Sequence, residues 1–274
     1  MKITVGIDIG STTTKIVGLN SSLEIVASDK AATKDRLVSV YGSLGKLLHE
    51  FNISLGEVER IALTGAGASW FSGNIYDVET VKISEADSVG LGAITLSGLE
   101  SGLVMNIGTG TVFVHASGTG FLHVGGSGLG GATLVGLARK MINEDDARQI
   151  SKLAEEGDLK NVDLMMGDVY NMDFSFLPPE ASAANFGKLK ASAAEGDIAL
   201  GLLSTIYQVL GTMAVFAAQG KGCKTVIVTG ALAEPAQAGQ ILPRVGGLYG
   251  VDFVFSQNAL YATALGAALK LSGK

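Results

Sequence analysis

A short turn of glycine and hydroxyl residues occurs twice in this chain, and it has the composition of a phosphate-binding loop. The first copy lies in GIDIGSTTTKI and the second in NIGTGTVFV, so that Asp8 aligns with Asn106 and Gly10 with Gly108. Each turn separates two apolar runs rich in β-branched residues, which predicts strand, turn and strand. Turns with little side-chain bulk expose backbone N–H groups to an anion. The two copies therefore predict a cleft that holds a polyphosphate from both sides.

The polar residues of the two turns are the candidate phosphate ligands. Asp8 ends a buried run, where a carboxylate can meet Mg²⁺ directly or through water, and Lys15 lies within reach of a phosphate. One copy alone would be typical of a structural turn, but the repetition favours nucleotide binding. The candidates are Asp8, Gly10, Ser11, Thr12, Thr13 and Lys15 in the first copy and Gly108, Thr109, Gly110 and Thr111 in the second.

Two further segments are candidate nucleotide contacts. The glycine cluster GGSGLGG, residues 125–131, precedes a predicted helix that starts near Ala132. Its N–H groups and the helix N-terminus can bind an anion, although the same composition fits a flexible loop. Farther along, VTGALAEP places Gly230 and Ala231 between an apolar strand and a helix. That pattern fits an adenine pocket and an ordinary strand–helix turn equally well.

Glu85 is the candidate general base. It stands with Asp87 in VKISEADSVGLGA, at a predicted strand–helix junction beside the cleft, where a carboxylate could orient and deprotonate an attacking hydroxyl. Two alternatives stay open. Glu85 could have no catalytic role and simply be an acid that stabilises the start of a helix capped by Ser84, or Asp87 could be the base. His123, next to the glycine cluster, is a candidate substrate contact.

The composition excludes several classes of function. The chain has 274 residues, 47% hydrophobic and 17% charged, which is enough for two domains with cores of their own. A net charge of −6 and the lack of a Lys/Arg cluster argue against a nucleic-acid partner. Cys223 is the single cysteine, which excludes a disulfide framework and a cysteine-rich metal site. No signal peptide opens the sequence, so we expect a cytoplasmic protein.

The stretch 198–220 carries no charge and is long enough to span a bilayer. Polar residues such as Gln208 and Thr212 interrupt it, acids precede it, and no aromatic belt accompanies it. We therefore expect no membrane insertion, and predict a helix in the interior or in an oligomer interface.

The elements that must position these residues form a repeated pattern. Residues 1–100 predict the order β-β-β-α-β-α, and the second turn starts the same pattern again. An irregular polar region follows at 143–190, then a long helix near 193–219, a strand at 224–229 and a final helix. We expect a first lobe over 1–100 and a second over 101–274, with the final helix, about 259–274, able to pack back on the first lobe.

The chain resembles the acetate and sugar kinase/Hsp70/actin superfamily, and within it the type II pantothenate kinases. The resemblance covers nearly the whole chain. It rests on the two turns, VTGALAEP, the E-x-D-x(4)-G element with Glu85, Asp87 and Gly92, the segment VGGSGLGGATLVGL, and SAANFGK at 182–188, which includes Asn185 as a candidate substrate contact.

The resemblance implies a two-lobed α/β fold, the actin-like ATPase fold with duplicated ribonuclease H-like domains. It implies a homodimer built on a long helix, and Glu85 as the base that activates the hydroxyl of pantothenate for attack on Mg²⁺–ATP, the first step of coenzyme A biosynthesis. Both turns would bind phosphate. The nucleotide-side glycine loop corresponds to Gly130, Gly131, Ala132 and Thr133.

One position departs from the family pattern. Where relatives commonly have an arginine that contacts pantothenate, this chain has His123, which offers fewer donors. Two alternatives therefore stay open: a kinase for another small hydroxylated metabolite, and an ATP-binding regulator or ATPase of the same fold. The ATPase activators of 2-hydroxyacyl-CoA dehydratases also resemble this chain near SEADSVGLGA, but they use cysteines to hold an iron–sulfur cluster, and Cys223 stands alone.

Overall fold

The first lobe is built on a five-stranded sheet. A computed structural model describes residues 2–170 and 177–273. The strands of this sheet are β1 (Ile3–Ile9), β2 (Thr13–Leu19), β3 (Ile25–Ala32), β4 (Val58–Thr64) and β5 (Thr80–Lys82), in the order β3-β2-β1-β4-β5. β1 and β2 form the predicted antiparallel hairpin around the first turn, and β4 lies parallel to β1 on its other side. The predicted order β-β-β-α-β-α did not count β5, whose three residues show no periodicity, although the strand–helix junction predicted at Glu85 places a strand there.

One face of this sheet is covered by α1 (Arg36–Glu50), which begins where the Asp35 carboxylate accepts a hydrogen bond from the Val38 N–H, 2.9 Å. The apolar residues of α1 recur at helical spacing, so Val40, Leu44 and Leu47 lie together and pack on the odd-numbered residues of β1. The even-numbered residues of β1, which include Asp8, point to the opposite face.

The second lobe repeats this sheet. Its strands are β6 (Gly102–Ile107), β7 (Thr111–Ser117), β8 (Gly120–Ser127), β11 (Thr225–Thr229) and β12 (Asp252–Phe255), in the order β12-β11-β6-β7-β8. An antiparallel hairpin again surrounds a glycine turn, and a strand from later in the chain again lies parallel to the first. The two halves thus share one topology. Two short strands, β9 (Leu164–Met165) and β10 (Ser182–Ala184), form a separate pair.

Six α-helices come after β8 in the described part of the chain. They are α3 (Gly131–Ile142), α4 (Ala147–Ala154), α5 (Met166–Val169), α6 (Glu195–Gly220), α7 (Ala236–Gly247) and α8 (Ala262–Leu271). The long helix α6 was predicted, and Leu203, Tyr207 and Leu210 of its buried face lie in the largest core. By length and mean hydropathy, 1.7, it could cross a membrane, but 61% of that window is buried inside the protein.

Two expectations for the second lobe need correction. Residues 125–127 belong to β8 and not to a loop, because Gly126 pairs with Val112 and Ser127 with Thr111 of β7. The region 143–190 is not irregular throughout, since it contains α4. That helix begins where the Asp146 carboxylate accepts from two backbone N–H groups, and it buries Ile150 and Ala154. Residues 171–176 of this region lie outside the described residues.

The two lobes meet at two crossing helices, α8 and α2 (Glu85–Ser97). They touch backbone to backbone, because a Cβ atom added at Gly92 would overlap the carbonyl oxygen of Ala262, and one added at Gly266 would overlap that of Ser88. On one side, α8 packs on β1, with Gly6 against Ala264. On the other side, α2 buries apolar residues in a cluster with the second sheet. That cluster contains Val89, Ala93, Val104, Val114 and Ile227.

Candidate active site

The two glycine turns face each other where the lobes meet. The first, Gly10–Thr12, joins β1 to β2, and the second, Gly108–Gly110, joins β6 to β7. Both are closed by a backbone hydrogen bond, from Gly10 N–H to the Thr13 oxygen, 3.1 Å, and from Gly108 N–H to the Gly110 oxygen, 2.8 Å. The Thr12 and Thr109 hydroxyl oxygens lie 3.0 Å apart. The turns are therefore close enough to contact one phosphate chain together.

The start of α3 supports the second turn. The N–H groups of Gly131 and Ala132 donate to the carbonyl oxygens of Gly108 and Thr109, at 2.8 and 3.0 Å. Side chains tie the same segments together, because the Thr111 hydroxyl donates to the Leu129 oxygen and the Thr133 hydroxyl to the Gly128 oxygen. In this structure these four groups hold the second turn in place. The helix N-terminus nevertheless points its dipole toward the turn, which favours an anion there.

Asp8 and Lys15 form a buried ion pair behind the first turn. They are paired residues of the β1–β2 hairpin, each only 7% exposed, and the Lys15 ammonium lies 3.1 Å from Asp8 Oδ2. No cluster of three or more His, Cys, Asp or Glu residues suited to a metal occurs among the described residues. Mg²⁺ does not need one, because it binds one or two carboxylates together with substrate phosphates and water. Asp8 therefore fits a Mg²⁺ ion that arrives with a nucleotide.

Glu85 is the first residue of α2, at the edge of the cleft. The Ser84 hydroxyl caps the helix by accepting from the Asp87 N–H, 3.1 Å. Burial against the cleft walls raises the pKa of the Glu85 carboxyl, and the charge of Asp8 raises it further, while His123 and Lys15 lower it. The fold thus brings Glu85, Asp8, Lys15 and His123 into one electrostatic neighbourhood, although they come from four separate elements. Asp87 faces elsewhere, with its carboxylate 4.0 Å from the Lys270 ammonium.

Gly230 and Ala231 follow β11 at the end of the second sheet where the second glycine turn lies, because β11 runs parallel to β6. The Gly230 N–H donates to the Ala259 oxygen, 3.0 Å, and a short 3₁₀ turn begins at Ala231. Nearby, the Thr229 hydroxyl donates to Asn106 Oδ1, 3.1 Å, so the amide that replaces the carboxylate of the first copy is held within the sheet. An ion pair between Lys30 and Glu234, 3.7 Å, joins the two lobes on this side.

Asn185 lies in a polar cluster beside α6, to which Gln208 of that helix contributes. Its amide nitrogen donates to the carboxylate of Asp163, 3.2 Å, and to the amide oxygen of Gln208, 3.3 Å. Asp163 is fully buried and also accepts hydrogen bonds from the Phe186 N–H and the Ser182 hydroxyl. In this structure Asn185 therefore fastens the 182–186 segment to the second lobe. Sequence reasoning had no signal for Asp163, which lies 22 positions away.

Sequence reasoning also missed Thr64 and Gly65, which follow one another at the end of β4. Thr64 pairs with Asp8 across the parallel strands. Gly65 has a φ of +82°, and a Cβ atom there would lie 2.5 Å from Asp8 Oδ1. The available signal was the glycine-rich segment LTGAGA after an apolar run, which matches the strand-then-glycine pattern of the two turns.

The chain is similar to solved structures and to a curated protein over nearly its whole length. An activator of 2-hydroxyisocaproyl-CoA dehydratase from Clostridium difficile, with bound ADPNP, has a TM-score of 0.72 at 19% identity and covers 98% of this chain and 94% of its own. A ROK family glucokinase from Streptomyces griseus, in complex with glucose and AMPPNP, has a TM-score of 0.66 at 13% identity, with 98% of each chain covered. A type II pantothenate kinase from Bacillus cereus is 25% identical over 284 residues, which span 100% of this chain and 99% of the relative.

The fold and the cleft define the class: this is an ATP-dependent phosphotransferase of the two-lobed actin-like ATPase fold. The family follows from the model named Fumble, which matches residues 101–242, just over half of the chain. The chain belongs to the Fumble family. It resembles the type II pantothenate kinases, as the motifs of its sequence predicted.

Proposed function

We propose that this protein transfers the γ-phosphate of ATP to the hydroxyl of pantothenate, the first step of coenzyme A biosynthesis. The observation that carries the proposal is the placement of Glu85 within the electrostatic influence of Asp8, Lys15 and His123, beside two facing glycine turns. Its support from relatives is an end-to-end alignment with a protein named type II pantothenate kinase. The name gives the substrate class, and the cleft supplies the groups that such a reaction requires.

Each residue has a distinct role in this mechanism. Glu85 accepts the proton of the pantothenate hydroxyl as the oxygen attacks, which is the task of a positioned general base. The two turns and Lys15 hold the phosphates in line with that oxygen. Asp8 would hold Mg²⁺ through water, and the ion, when bound with the nucleotide, neutralises charge on the phosphates. Gly230 and Ala231 would border the adenine, with Gly130–Thr133 supporting the second turn.

The deciding experiment is phosphopantothenate formation by the purified chain with Mg²⁺–ATP, against a reaction without pantothenate. We expect ADP release that depends on pantothenate and a product in equal amount. A panel of other small hydroxylated acids and sugars tests the second candidate, another acceptor, which His123 favours. Slow ATP hydrolysis that no acceptor stimulates would contradict both and leave a regulator or ATPase.

Replacing His123 tests the acceptor site. His123 lies on the edge strand β8, paired with Val114 of β7. For His123→Arg we expect the KM for pantothenate to fall about tenfold with kcat nearly unchanged, because a guanidinium is always charged and offers a fixed fork of donors to a carboxylate. The measurement is steady-state kinetics with varied pantothenate. His115→Arg is the control, because His115 pairs with Leu122 and lies on the other face of the sheet.

We further propose that the chain is a cytoplasmic homodimer, with lobes at 1–100 and 101–274 and residues 259–274 returning to the first lobe. α6 supports the dimer because Val209, Met213 and Phe216 are exposed along one face of this otherwise buried helix. Aromatic and methionine side chains are enriched in the cores of interfaces.

Phe216→Glu tests the dimer, since it places a charge on the most exposed residue of that face. We expect the variant to sediment as a monomer at concentrations where the native chain is a dimer. Val38→Glu is the matched control, because Val38 is an exposed apolar residue on α1 of the first lobe. A native chain that sediments as a monomer would contradict the dimer.

A further inference from the structure

The side chain of Thr64 is a buried hydroxyl on the strand next to Asp8. In the register of the first sheet, Lys15, Asp8 and Thr64 occupy paired positions on β2, β1 and β4. Paired residues of adjacent strands project to the same face, about 4.8 Å apart along the hydrogen-bonding direction. Thr64 is 0% exposed, and its Oγ1 has no hydrogen-bond partner among the described residues. This is the same row of the sheet that holds the Asp8–Lys15 pair.

The carboxylate of Asp8 is enclosed by its neighbours. Oδ2 accepts from the Lys15 ammonium at 3.1 Å, and Oδ1 lies against the backbone of Gly65, which has the left-handed φ of +82°. A side chain at Gly65 would displace Oδ1, since its Cβ atom would stand 2.5 Å away. Asp8 therefore has Lys15 on one side and Thr64 with Gly65 on the other.

A purely structural role explains Gly65 but not the residue type at Thr64. An unpartnered buried hydroxyl costs stability, because it has lost its hydrogen bonds to water. Valine has the same shape, has no such cost and is favoured in strands. Asp29 and Ser43 also have buried unpartnered oxygens, but both lie outside this row. Thr64 is the one of these groups that adjoins Asp8.

We propose that Thr64 is a positioning residue that takes over the hydrogen bond to Asp8 when Lys15 turns to a bound phosphate. This inference rests on the proposed phosphoryl transfer. The Lys15 ammonium has three N–H donors, but a phosphate bound at the first turn attracts it away from Asp8 and lengthens the 3.1 Å contact. A buried carboxylate oxygen that lost its donor would be left without a hydrogen-bond partner. The Thr64 hydroxyl donates to Asp8 at that stage, so the carboxylate keeps the orientation in which it would hold Mg²⁺.

The test compares Thr64→Val, which removes only the hydroxyl, with Thr64→Ser, which keeps it. Thr14→Val is the matched control: Thr14 is also 0% exposed in the same sheet, but it bonds to Thr33 and faces away from Asp8. The readouts are kcat, the KM for ATP, the Tm without ligand, and the further rise in Tm that Mg²⁺ adds to that caused by ADP alone.

For Thr64→Val we expect an unchanged or raised Tm without ligand, kcat lower by about tenfold, an unchanged KM for ATP, and a smaller Mg²⁺-dependent rise in Tm. Thr64→Ser should restore most of the kcat and most of the Mg²⁺-dependent rise in Tm. Thr14→Val should leave both quantities at their native values.

Native kcat and a native Mg²⁺ effect in Thr64→Val would overturn the proposal. So would a variant that fails to fold, or equal impairment in Thr64→Ser, because both indicate a structural role. If the native chain phosphorylates no acceptor, the proposed function fails, and the Mg²⁺-dependent Tm still decides the role of Thr64.

Discussion

Glu85→Gln is expected to lower kcat by about 10²–10⁴ while leaving ATP and ADP binding nearly intact, because the amide keeps the shape of the side chain but cannot accept the proton. The hydroxyl would then have to lose its proton to water. The measurements are initial rates at saturating pantothenate and ATP, and nucleotide affinity by calorimetry. A variant with native turnover would remove Glu85 from the mechanism.

Asp87→Asn is the matched control for this prediction. Asp87 lies two residues farther along α2, and its carboxylate is near Lys270 and not near the turns. We therefore expect its loss to change kcat little. The opposite result, a full loss in Asp87→Asn and little change in Glu85→Gln, would assign the base to Asp87.

The pKa of Glu85 also sets a pH dependence. A base works only when deprotonated, and burial and Asp8 raise the pKa of this carboxyl. Activity should thus fall, as the pH is lowered, at a higher pH than for an ordinary glutamate, whose pKa is about 4.3. For stability the sign is opposite: a raised carboxyl pKa means that the folded protein disfavours the anion, so Glu85→Gln should keep or raise Tm at neutral pH. A kcat profile that falls only at the pH expected for an ordinary glutamate would contradict the shift.

Gly92→Ala is expected to destabilise the protein and to impair catalysis although Gly92 touches no substrate. The new Cβ atom would overlap the Ala262 oxygen, so α2 and α8 would have to separate. Overpacking of this kind costs about 1–3 kcal/mol, and each kcal/mol lowers Tm by about 2–4 °C for a domain of this size. Because α2 carries Glu85 at its first turn, kcat should fall as well. Thermal unfolding and initial rates measure the two effects.

Gly45→Ala serves as the control for the loss of a glycine from a helix. Gly45 lies on the exposed face of α1, and a Cβ atom there meets nothing within 4 Å. This substitution should stabilise the protein by about 0.5–1 kcal/mol, since alanine loses less backbone freedom on folding. If Gly92→Ala behaved like Gly45→Ala, the close contact of α2 and α8 would not matter for stability.

Local patterns carried the prediction of the fold a long way. The hairpins β1–β2 and β6–β7 were recognisable because apolar runs flank a glycine turn. Helix α1 was recognisable because its apolar residues recur at helical spacing, and α6 because it is a long, nearly continuous apolar stretch. The predicted element order did not count β5, since three residues show no period, and it missed the extension of β8, since glycine carries no strand preference. α4 escaped because its eight residues lie in a polar region, where the cap at Asp146 was the main signal.

The residues of the candidate site also divide into those that a local motif predicts and those that it does not. Asp8, Glu85 and the turns were predicted because they lie in recognisable motifs. Thr64 and Asp163 were not, because their roles depend on which strand or segment lies beside them. The pairing of Thr64 with Asp8 joins residues 56 positions apart in the sequence, and a local pattern does not specify that pairing. Only the strand order β2-β1-β4 makes Thr64 a neighbour of the carboxylate.

The return of α8 to the first sheet has a consequence for how the chain is made. Val17 and Leu19 of β2 are buried against Ala264, Leu265 and Ala268 of α8. During synthesis that face of the first sheet must remain uncovered until α8 has been translated. The lobe that is made first is therefore the lobe that is completed last, and a nascent chain that stalls before residue 260 leaves an apolar surface open to chaperones and to aggregation.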